Sequence, residues 1–299
     1  MPAFLRTFGH SGPAKFGPAR CVHRRPSMSS DDERLGDDTT VHLPARARVG
    51  QRLRVMTYNV HACLGRRNRP TVDGIVSILK RAAPDVIAMQ ELDVDRPRSG
   101  FQHQARAIAE RLRYHFHFTP TLEREGGQYG IGLLSAQPTE LVSELMLPAR
   151  RDEQRAAQLL RARVEGHTLT LLHTHLSVRP LERRLQLSAL LNTPWLGEPA
   201  RRSHLIVCGD LNATPGSPVY RALAERLRDV QGPGSRTFRP QATWPANLPL
   251  LRLDHIFVGS AFEVSAALVP RWAPLQHSSD HLPLIADLRM KDAAFTGSH

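Results

Sequence analysis

Cysteine, lysine and long apolar runs are all scarce in this chain of 299 residues. Its three cysteines are Cys21, Cys63 and Cys208, and no two of them form a CxxC pair. This argues against a disulfide framework and a structural zinc site, and it fits a reducing compartment, so a cytoplasmic location is expected. No run of about 18 apolar residues occurs, so no transmembrane helix is expected.

The charge is strongly basic although lysine is scarce. Lysine occurs only at positions 15, 80 and 291, and the other 37 of the 40 basic residues are arginine, against 28 acidic residues. The net charge of +12 favours an anionic partner such as nucleic acid, a phosphoester or a membrane surface. A GC-rich genome also produces an arginine bias of this size, so both explanations of the charge stay open.

Residues 1–50 differ in character from the rest of the chain. They are polar and show no sustained hydrophobic period, so we interpret them as a disordered N-terminal extension. The first 30 residues contain basic but no acidic residues, a composition that transit peptides share. Residues 51–288 are expected to form one large folded domain, and residues 289–299 a C-terminal tail.

Apolar and amphipathic segments alternate along the folded region. Short apolar runs such as VIAM (86–89) and LIVC (205–208) predict strands that are covered on both faces. Segments between residues 129 and 176 predict antiparallel hairpins, whereas the residues after Thr71 have helical spacing. Together, these predicted strands and helices indicate an α/β fold, a four-layer sandwich of two packed mixed β-sheets flanked by helices.

Acidic, amide and histidine side chains recur where the predicted apolar strands end. Each one alone is an ordinary turn or cap residue, but together they predict a common polar edge. Clustered carboxylates repel one another unless a cation is present, and oxygen ligands suit Mg²⁺ or Mn²⁺ better than Zn²⁺. The residues concerned are Asn59, Gln90, Glu91, His173, His175, Asp210, Asn212, Asp254, Asp280 and His281.

At these positions the sequence resembles the endonuclease/exonuclease/phosphatase superfamily, which includes nucleases, sphingomyelinases and inositol polyphosphate 5-phosphatases. The matching stretches occur in family order and span nearly all of the folded region, which the resemblance makes a catalytic domain. They are TYNVH (57–61), QEL (90–92), YGIGLLS (129–135), HTHLS (173–177), GDLNATPGSP (209–218), LDHIFV (253–258) and SSDHLPL (278–284).

The resemblance implies a metal site and a set of catalytic groups. Glu91 is the main metal ligand in this reading, Asn59 is a ligand or an orienter of ligand waters, and Asp280 is a further metal-site carboxylate. His281 is the catalytic imidazole with Asp254 as its partner, and Asp210 positions or deprotonates the attacking water. The residues expected to contact phosphate or the leaving group are His175, Asn212 and Tyr129.

Several nearby residues receive a different interpretation. We interpret His61, His173 and His255 as structural. Family members often carry Asn where this chain has Ile131, which leaves one phosphate contact of the family without its usual residue. In the long Pro- and Gly-rich loop 231–250, the aromatic candidates for contact with a base or a lipid are Phe238 and Trp244.

These observations predict a Mg²⁺-dependent phosphoesterase, with Mn²⁺ as a plausible substitute. The first hypothesis is a monomeric phosphodiesterase or nuclease, with nucleic acid slightly ahead as substrate because of the charge. The second is a lipid or small-molecule phosphoesterase, similar to a sphingomyelinase or an inositol-phosphate phosphatase, acting at a membrane surface. The sequence shows no convincing apolar hairpin for membrane contact. A third hypothesis is a non-catalytic binding protein that retains the fold.

Overall fold

Two six-stranded β-sheets form the centre of the protein. The computed structural model describes residues 52–151, 153–164, 167–232, 240–272 and 275–291, save the side chains of residues 164 and 276. Phe238 and the expected N-terminal extension therefore lie outside the described residues. Within the described ranges, no helix has the length and apolar character needed to cross a bilayer.

The first sheet has the strand order β11-β12-β1-β2-β4-β3. Its β1 and β2 are parallel, and its other neighbouring pairs are antiparallel. Its strands are β1 (Arg52–Asn59), β2 (Val86–Val94), β3 (His115–Arg124), β4 (Gly127–Ser135), β11 (Phe262–Leu268) and β12 (Leu284–Met290).

The second sheet repeats this arrangement with the order β5-β6-β7-β8-β10-β9. Here β7 and β8 are the parallel pair, and the other neighbours are antiparallel. Its strands are β5 (Thr139–Met146), β6 (Ala156–Val164), β7 (His167–His175), β8 (Leu205–Asp210), β9 (Arg228–Asp229) and β10 (Asp254–Val258).

Helices cover the outer faces of both sheets. The helices α1 (Val72–Ala82) and α2 (Gln104–Leu112) share one apolar cluster with the first sheet and the inner face of the second. A separate cluster joins the outer face of the second sheet to α3 (Pro180–Leu191) and α5 (Pro218–Ala224). The short helices α4 and α6 are Pro194–Gly197 and Leu275–Ser278. The four-layer α/β sandwich predicted from the sequence is confirmed.

The first helix illustrates how local sequence produces these layers. Val72, Ile75 and Leu79 recur at helical spacing and are all buried against the sheet. Ala83 ends the helix in a left-handed conformation and donates its N–H to the carbonyl of Leu79. Pro84 follows and cannot continue the helix.

Strand directions bring the polar residues to one edge of the sandwich. The parallel pairs β1–β2 and β7–β8 end there with Asn59 and Asp210. Asp254 is the first residue of β10, and His281 lies shortly before the first residue of β12, so neither follows the end of a strand. Because β10 and β12 run antiparallel to β8 and β1, their first residues lie at this same edge, which we call the catalytic edge.

A β-bulge places one of the polar residues out of the regular strand alternation. Between Met89 and Leu92 the register of β2 against β4 shifts, so Gln90 and Glu91 lie opposite the single residue Ile131. Glu91 has a φ of 62°, and Ile131 is buried. Bulges commonly redirect a side chain next to a functional site, and this one carries Glu91.

The glycine before Asp210 allows β7 and β8 to approach closely. Gly209 has a φ of 149°, and a Cβ built on it would lie 1.8 Å from the carbonyl oxygen of Thr174, its partner in β7. Only glycine fits this position without movement of the backbone. The residue therefore fixes the position from which the Asp210 carboxylate projects.

Replacing Gly209 by alanine is expected to lower the free energy of unfolding by at least about 2 kcal/mol, because backbone strain and a steric clash combine. Gly216→Ala is the control, since Gly216 also has a positive φ, of 94°, but open space where the Cβ would lie. Denaturant unfolding of the two variants measures the difference. Equal losses would contradict the importance of the Thr174 contact.

Candidate active site

One amide connects the two halves of the polar cluster. Asn59, the last residue of β1, donates from Nδ2 to Glu91 Oε1 at 2.8 Å and to Asp210 Oδ2 at 3.0 Å. Its Oδ1 accepts the backbone N–H of His61 at 3.1 Å. These partners fix the orientation of the amide, because the nitrogen must face the carboxylates. Asn59 thus bridges the first sheet to the second.

His281 lies between two carboxylates of the second sheet. Its Nδ1 is 2.8 Å from Asp254 Oδ2, and its Nε2 is 3.7 Å from Asp210 Oδ2. All three side chains are buried. Burial alone would lower the pKa of His281, but the charges of Asp254 and Asp210 outweigh it and raise that pKa to about 10. The ring is therefore an imidazolium at neutral pH.

His175 is held from the opposite side by an arginine. Arg155 donates from a guanidinium nitrogen to Nδ1 of His175 at 3.0 Å, and His175 Nε2 lies 3.6 Å from Asp210 Oδ2. Because arginine can only donate, Nδ1 accepts, and the neutral ring carries its proton on Nε2. Burial and the charge of Arg155 both lower the pKa of His175 well below its usual value.

Arg155 also interacts with the Tyr129 hydroxyl and pairs with Glu153 at 3.2 Å. Tyr129 is buried in β4, and burial, with Glu91 adding in the same direction, raises the pKa of its phenol. Arg98 lies 5.7 Å from the centre of the Tyr129 ring. The phenol is therefore protonated at neutral pH and can donate a hydrogen bond.

His61 contacts the two carboxylates nearest to solvent. Its Nδ1 lies 3.6 Å from Glu91 Oε2 and 3.4 Å from Asp280 Oδ1. The pKa of His61 is raised, chiefly by Glu91 and then by Asp280, against the opposing effect of burial. The other Asp280 oxygen accepts a hydrogen bond from Trp244 Nε1 at 3.3 Å.

The two carboxylates that Asn59 joins have pKa values shifted in opposite directions. Burial alone would raise the pKa of Glu91, but hydrogen bonds from His61 and Asn59 help to hold it well below its usual range. Burial, reinforced by Asp254, raises the pKa of Asp210 to about 7 against the opposing charge of His281. Glu91 is therefore ionised at neutral pH, whereas Asp210 can accept or release a proton there.

Asn212 lies in the turn directly after β8. Its φ is 47°, its backbone N–H donates to Asp210 Oδ1 at 2.9 Å, and its Nδ2 donates to the carbonyl of Leu176 at 3.0 Å. The same Nδ2 lies 3.4 Å from His175 Nε2. This turn therefore directs the amide toward the groups at the ends of β7 and β8.

Two groups of oxygen and nitrogen donors suit a metal ion. Among the described residues, Asp210, Asp254 and His281 have donor atoms within 4.8 Å of one another. Glu91 and Asp280 form the second group around His61. In the first group, Nδ1 of His281 is already paired with Asp254 Oδ2, so that ring offers only Nε2 to a cation.

A buried polar network supports the site from within the sandwich. His173 Nδ1 lies 3.1 Å from Gln158 Oε1, and its Nε2 lies 2.8 Å from Gln90 Nε2. Gln158 in turn donates to Thr119 at 2.8 Å. The network spans both sheets and includes Gln90, the residue before Glu91. His173 and His255, which bonds the carbonyl of Ala213, are consistent with structural roles.

A family model matches most of the folded region. The model of the Endonuclease/Exonuclease/phosphatase family matches residues 56–281, which contain the whole cluster described above. The chain belongs to the endonuclease/exonuclease/phosphatase family. Members of this family are hydrolases that act on phosphoester bonds.

Individual relatives agree with this assignment. Protein YbhP of Escherichia coli strain K12 is 30% identical over 174 residues, which cover 55% of this chain and 64% of YbhP, just under two thirds. The human nocturnin catalytic domain with bound sulfate anion is 25% identical with a TM-score of 0.61, covering 81% of this chain and 94% of that chain. Mannosyl-6-phosphatase Bt3783 of Bacteroides thetaiotaomicron has the same fold, with a TM-score of 0.63. It is 17% identical, and the match covers 79% of this chain and 99% of that chain.

The structure brings the nine site residues predicted from the sequence to one edge. Their individual roles remain predictions. Sequence reasoning did not identify Arg155, which belongs to none of the matching stretches. It also interpreted His61 as structural, although the TYNVH stretch contains it and the structure places it against Glu91 and Asp280.

Acid is expected to destabilise the domain through His173. Burial lowers the pKa of His173 to about 3, whereas the unfolded residue titrates near about 6.5. Between these values the unfolded chain binds a proton that the folded chain cannot, so the free energy of unfolding falls as pH decreases. From pH 7 to pH 5 the loss from this residue is about 2 kcal/mol.

Denaturant unfolding of His173→Gln at both pH values checks this expectation. The variant should lose less stability than the wild type between pH 7 and pH 5. The exposed His167 at the start of β7 provides the matched control, His167→Gln. An unchanged pH dependence in His173→Gln would contradict the assignment of a neutral buried imidazole.

Proposed function

We propose that the protein is a divalent-metal-dependent phosphoesterase that cleaves phosphodiesters by in-line attack of water. The main supporting observation is geometric: Asn59 joins Glu91 to Asp210, and His281 lies between Asp210 and Asp254. Glu91 is an ionised carboxylate, Asp210 has a pKa near neutrality, and His281 is an imidazolium. A reaction that moves a proton and develops negative charge uses all three kinds of group.

The residues present fit a hard divalent cation. Glu91 and Asp280 offer carboxylate oxygens on either side of His61, and Asn59 orients Glu91 through its amide nitrogen. Asp280 is about half exposed, so water and substrate oxygens can complete the coordination. When bound there, Mg²⁺ or Mn²⁺ supplies charge neutralisation at the phosphate oxygens.

The chain's own residues supply the remaining chemistry. Asp210 Oδ2 accepts a proton from the attacking water as the new bond to phosphorus forms. His281 donates from Nε2 to a phosphate oxygen and is kept protonated and oriented by Asp254. His175 carries its proton on Nε2 and donates there, and Asn212 and Tyr129 add neutral donors. The bond to the leaving oxygen then breaks, that oxygen takes up a proton from solvent water, and Asp210 returns its proton to solvent.

The relatives support a phosphate-bearing substrate, but they do not indicate whether it is a nucleic acid, a lipid or a small phosphate ester. Nocturnin carries a bound sulfate, an anion with the shape of phosphate, and Bt3783 is named as a mannosyl-6-phosphatase. The net charge alone favours nucleic acid as the phosphodiester. The alternative, a lipid phosphoester, is supported by a separate observation on the surface of the protein.

Asp210→Asn is expected to lower kcat by about 10²–10⁴-fold, because the amide cannot accept the proton of water. His281→Gln should lose a similar factor through loss of a charged donor. Hydrolysis of bis(p-nitrophenyl) phosphate with Mg²⁺ measures both, and His204→Gln, remote from the catalytic edge, is the control. Activity equal to the wild type in both variants would contradict the site assignment.

Glu91→Gln is expected to raise the Mg²⁺ concentration needed for half-maximal activity by at least about tenfold, because one anionic ligand becomes neutral. Titration of Mg²⁺ and Mn²⁺ into apo enzyme, by activity and by calorimetry, measures the change. Glu140→Gln on the exposed edge of β5 is the control. Full activity of the wild type in excess chelator would contradict the metal requirement.

A further inference from the structure

Large apolar side chains in contact with water are concentrated on one part of the domain. Seven of the eight in the described ranges lie at the catalytic edge, and the other one, Val142, lies in the middle of β5. The eight are Phe101, Val142, Met146, Val178, Leu181, Leu248, Leu250 and Leu251.

Three separate connections carry the first four of the seven. Phe101 lies in the turn after β2, Met146 ends β5, and Val178 and Leu181 follow β7 into α3. Strand direction places each connection at the edge that holds Asp210. Phe101 and Leu181 are 66% and 73% exposed, so their side chains extend into solvent rather than into the core.

The remaining three belong to a small hairpin of residues 244–251. Its base is closed by a bridge between Trp244 and Leu251, and Ala246 donates its N–H to the carbonyl of Asp280 at 2.7 Å. Leu248 and Leu250 are 64% and 70% exposed. The hairpin is therefore fixed to the active site through the Ala246–Asp280 hydrogen bond, and it exposes Leu248 and Leu250 to solvent.

The same edge is rich in exposed arginine. In the described connections at this edge, nine arginines are exposed against the acids Asp95, Glu123, Glu125 and Asp280. The apolar tips are therefore set in a positively charged surface. The nine are Arg66, Arg67, Arg69, Arg98, Arg124, Arg150, Arg151, Arg179 and Arg271.

The combination of exposed arginine and apolar side chains distinguishes an anionic bilayer from nucleic acid as the partner. Nucleic acid satisfies the arginines through its phosphates but offers no apolar layer for leucine side chains that surround the site. An anionic bilayer offers a charged surface for the arginines and an apolar layer directly beneath it for the leucines and the phenylalanine.

We propose that the catalytic edge docks on an anionic phospholipid bilayer and that the phosphodiester brought to Asp210 belongs to a lipid headgroup. The docking rests on the surface, whereas the lipid substrate also rests on the proposed phosphodiesterase activity. Water attacks the headgroup phosphorus, one P–O bond breaks, and the products are a phosphate monoester and an alcohol. The apolar tips enter the interface and keep the active site at the depth of the headgroups.

Flotation with vesicles of phosphatidylcholine, with or without phosphatidylglycerol, tests the docking on the full chain. The wild type should float with the anionic vesicles and much less with the neutral ones. Leu248→Ser/Leu250→Ser should reduce partitioning by at least about tenfold, whereas Val142→Ser should not change it. Arg66→Glu/Arg67→Glu should reduce it by a similar factor, with Arg163→Glu, exposed in β6 and remote from the catalytic edge, as the control.

Two parallel measurements separate the proposals from each other. The hairpin variant should retain wild-type hydrolysis of bis(p-nitrophenyl) phosphate with Mg²⁺ but lose release of headgroup product from the vesicles. Vesicle binding without hydrolysis of either substrate would overturn the phosphoesterase and leave the docking standing. Hydrolysis of the soluble ester without vesicle binding would overturn the docking.

Binding to a labelled DNA duplex provides the rival outcome. If the wild type binds the duplex but not anionic vesicles, the partner is nucleic acid and the bilayer proposal is wrong. Hairpin variants that float like the wild type would also overturn it, because the apolar tips would then have no part in binding.

Discussion

Four carboxylates share the catalytic edge, and their mutual repulsion is the constraint that shapes the site. Asp254 is balanced by His281, and Asp210 receives hydrogen bonds from Asn59 and from the turn that follows it. The two near solvent, Glu91 and Asp280, share a contact with His61, and there the proposed divalent cation would relieve their repulsion. In the proposed reaction, the acids that the fold neutralises internally serve proton transfer, whereas Glu91 and Asp280 hold the cation that binds the phosphate.

The backbone provides this arrangement at a cost in conformational strain. Glu91 leaves the regular strand at a bulge, Asn212 has a positive φ, and Gly209 permits a contact with β7 that no other residue allows. Strain of this kind persists only where the surrounding structure holds it, and here two parallel strand pairs and a buried polar network do so. The two sheets therefore act as a rigid support on which the site is assembled.

The surface around the active site bears on the class of phosphodiester substrate, which the chemistry of the site does not specify. Any phosphodiester meets the needs of Asp210, His281 and a cation, and the basic charge attracts all of them. Under our docking proposal, the exposed apolar side chains at the catalytic edge select among these anions, because an anionic bilayer provides both charge and an apolar layer. In this reading, substrate class depends on the connections, while the reaction depends on the strands.

The fold class, the polar residues of the edge and their order along the chain could all be predicted from the sequence, because strand periodicity and short motifs are local properties. It predicted a strand over 86–89 but not the bulge that follows, and it missed Arg155, whose contact with His175 spans 20 residues and two strands. It also contained no recognisable membrane hairpin, since Leu181, Phe101 and Leu250 are far apart in the chain. The bulge, the Arg155 contact and the apolar surface are visible only in the folded protein. Shifted pKa values, histidine tautomers and surface patches depend on short distances between residues. Strand pairing brings these residues together, although they are far apart in the sequence.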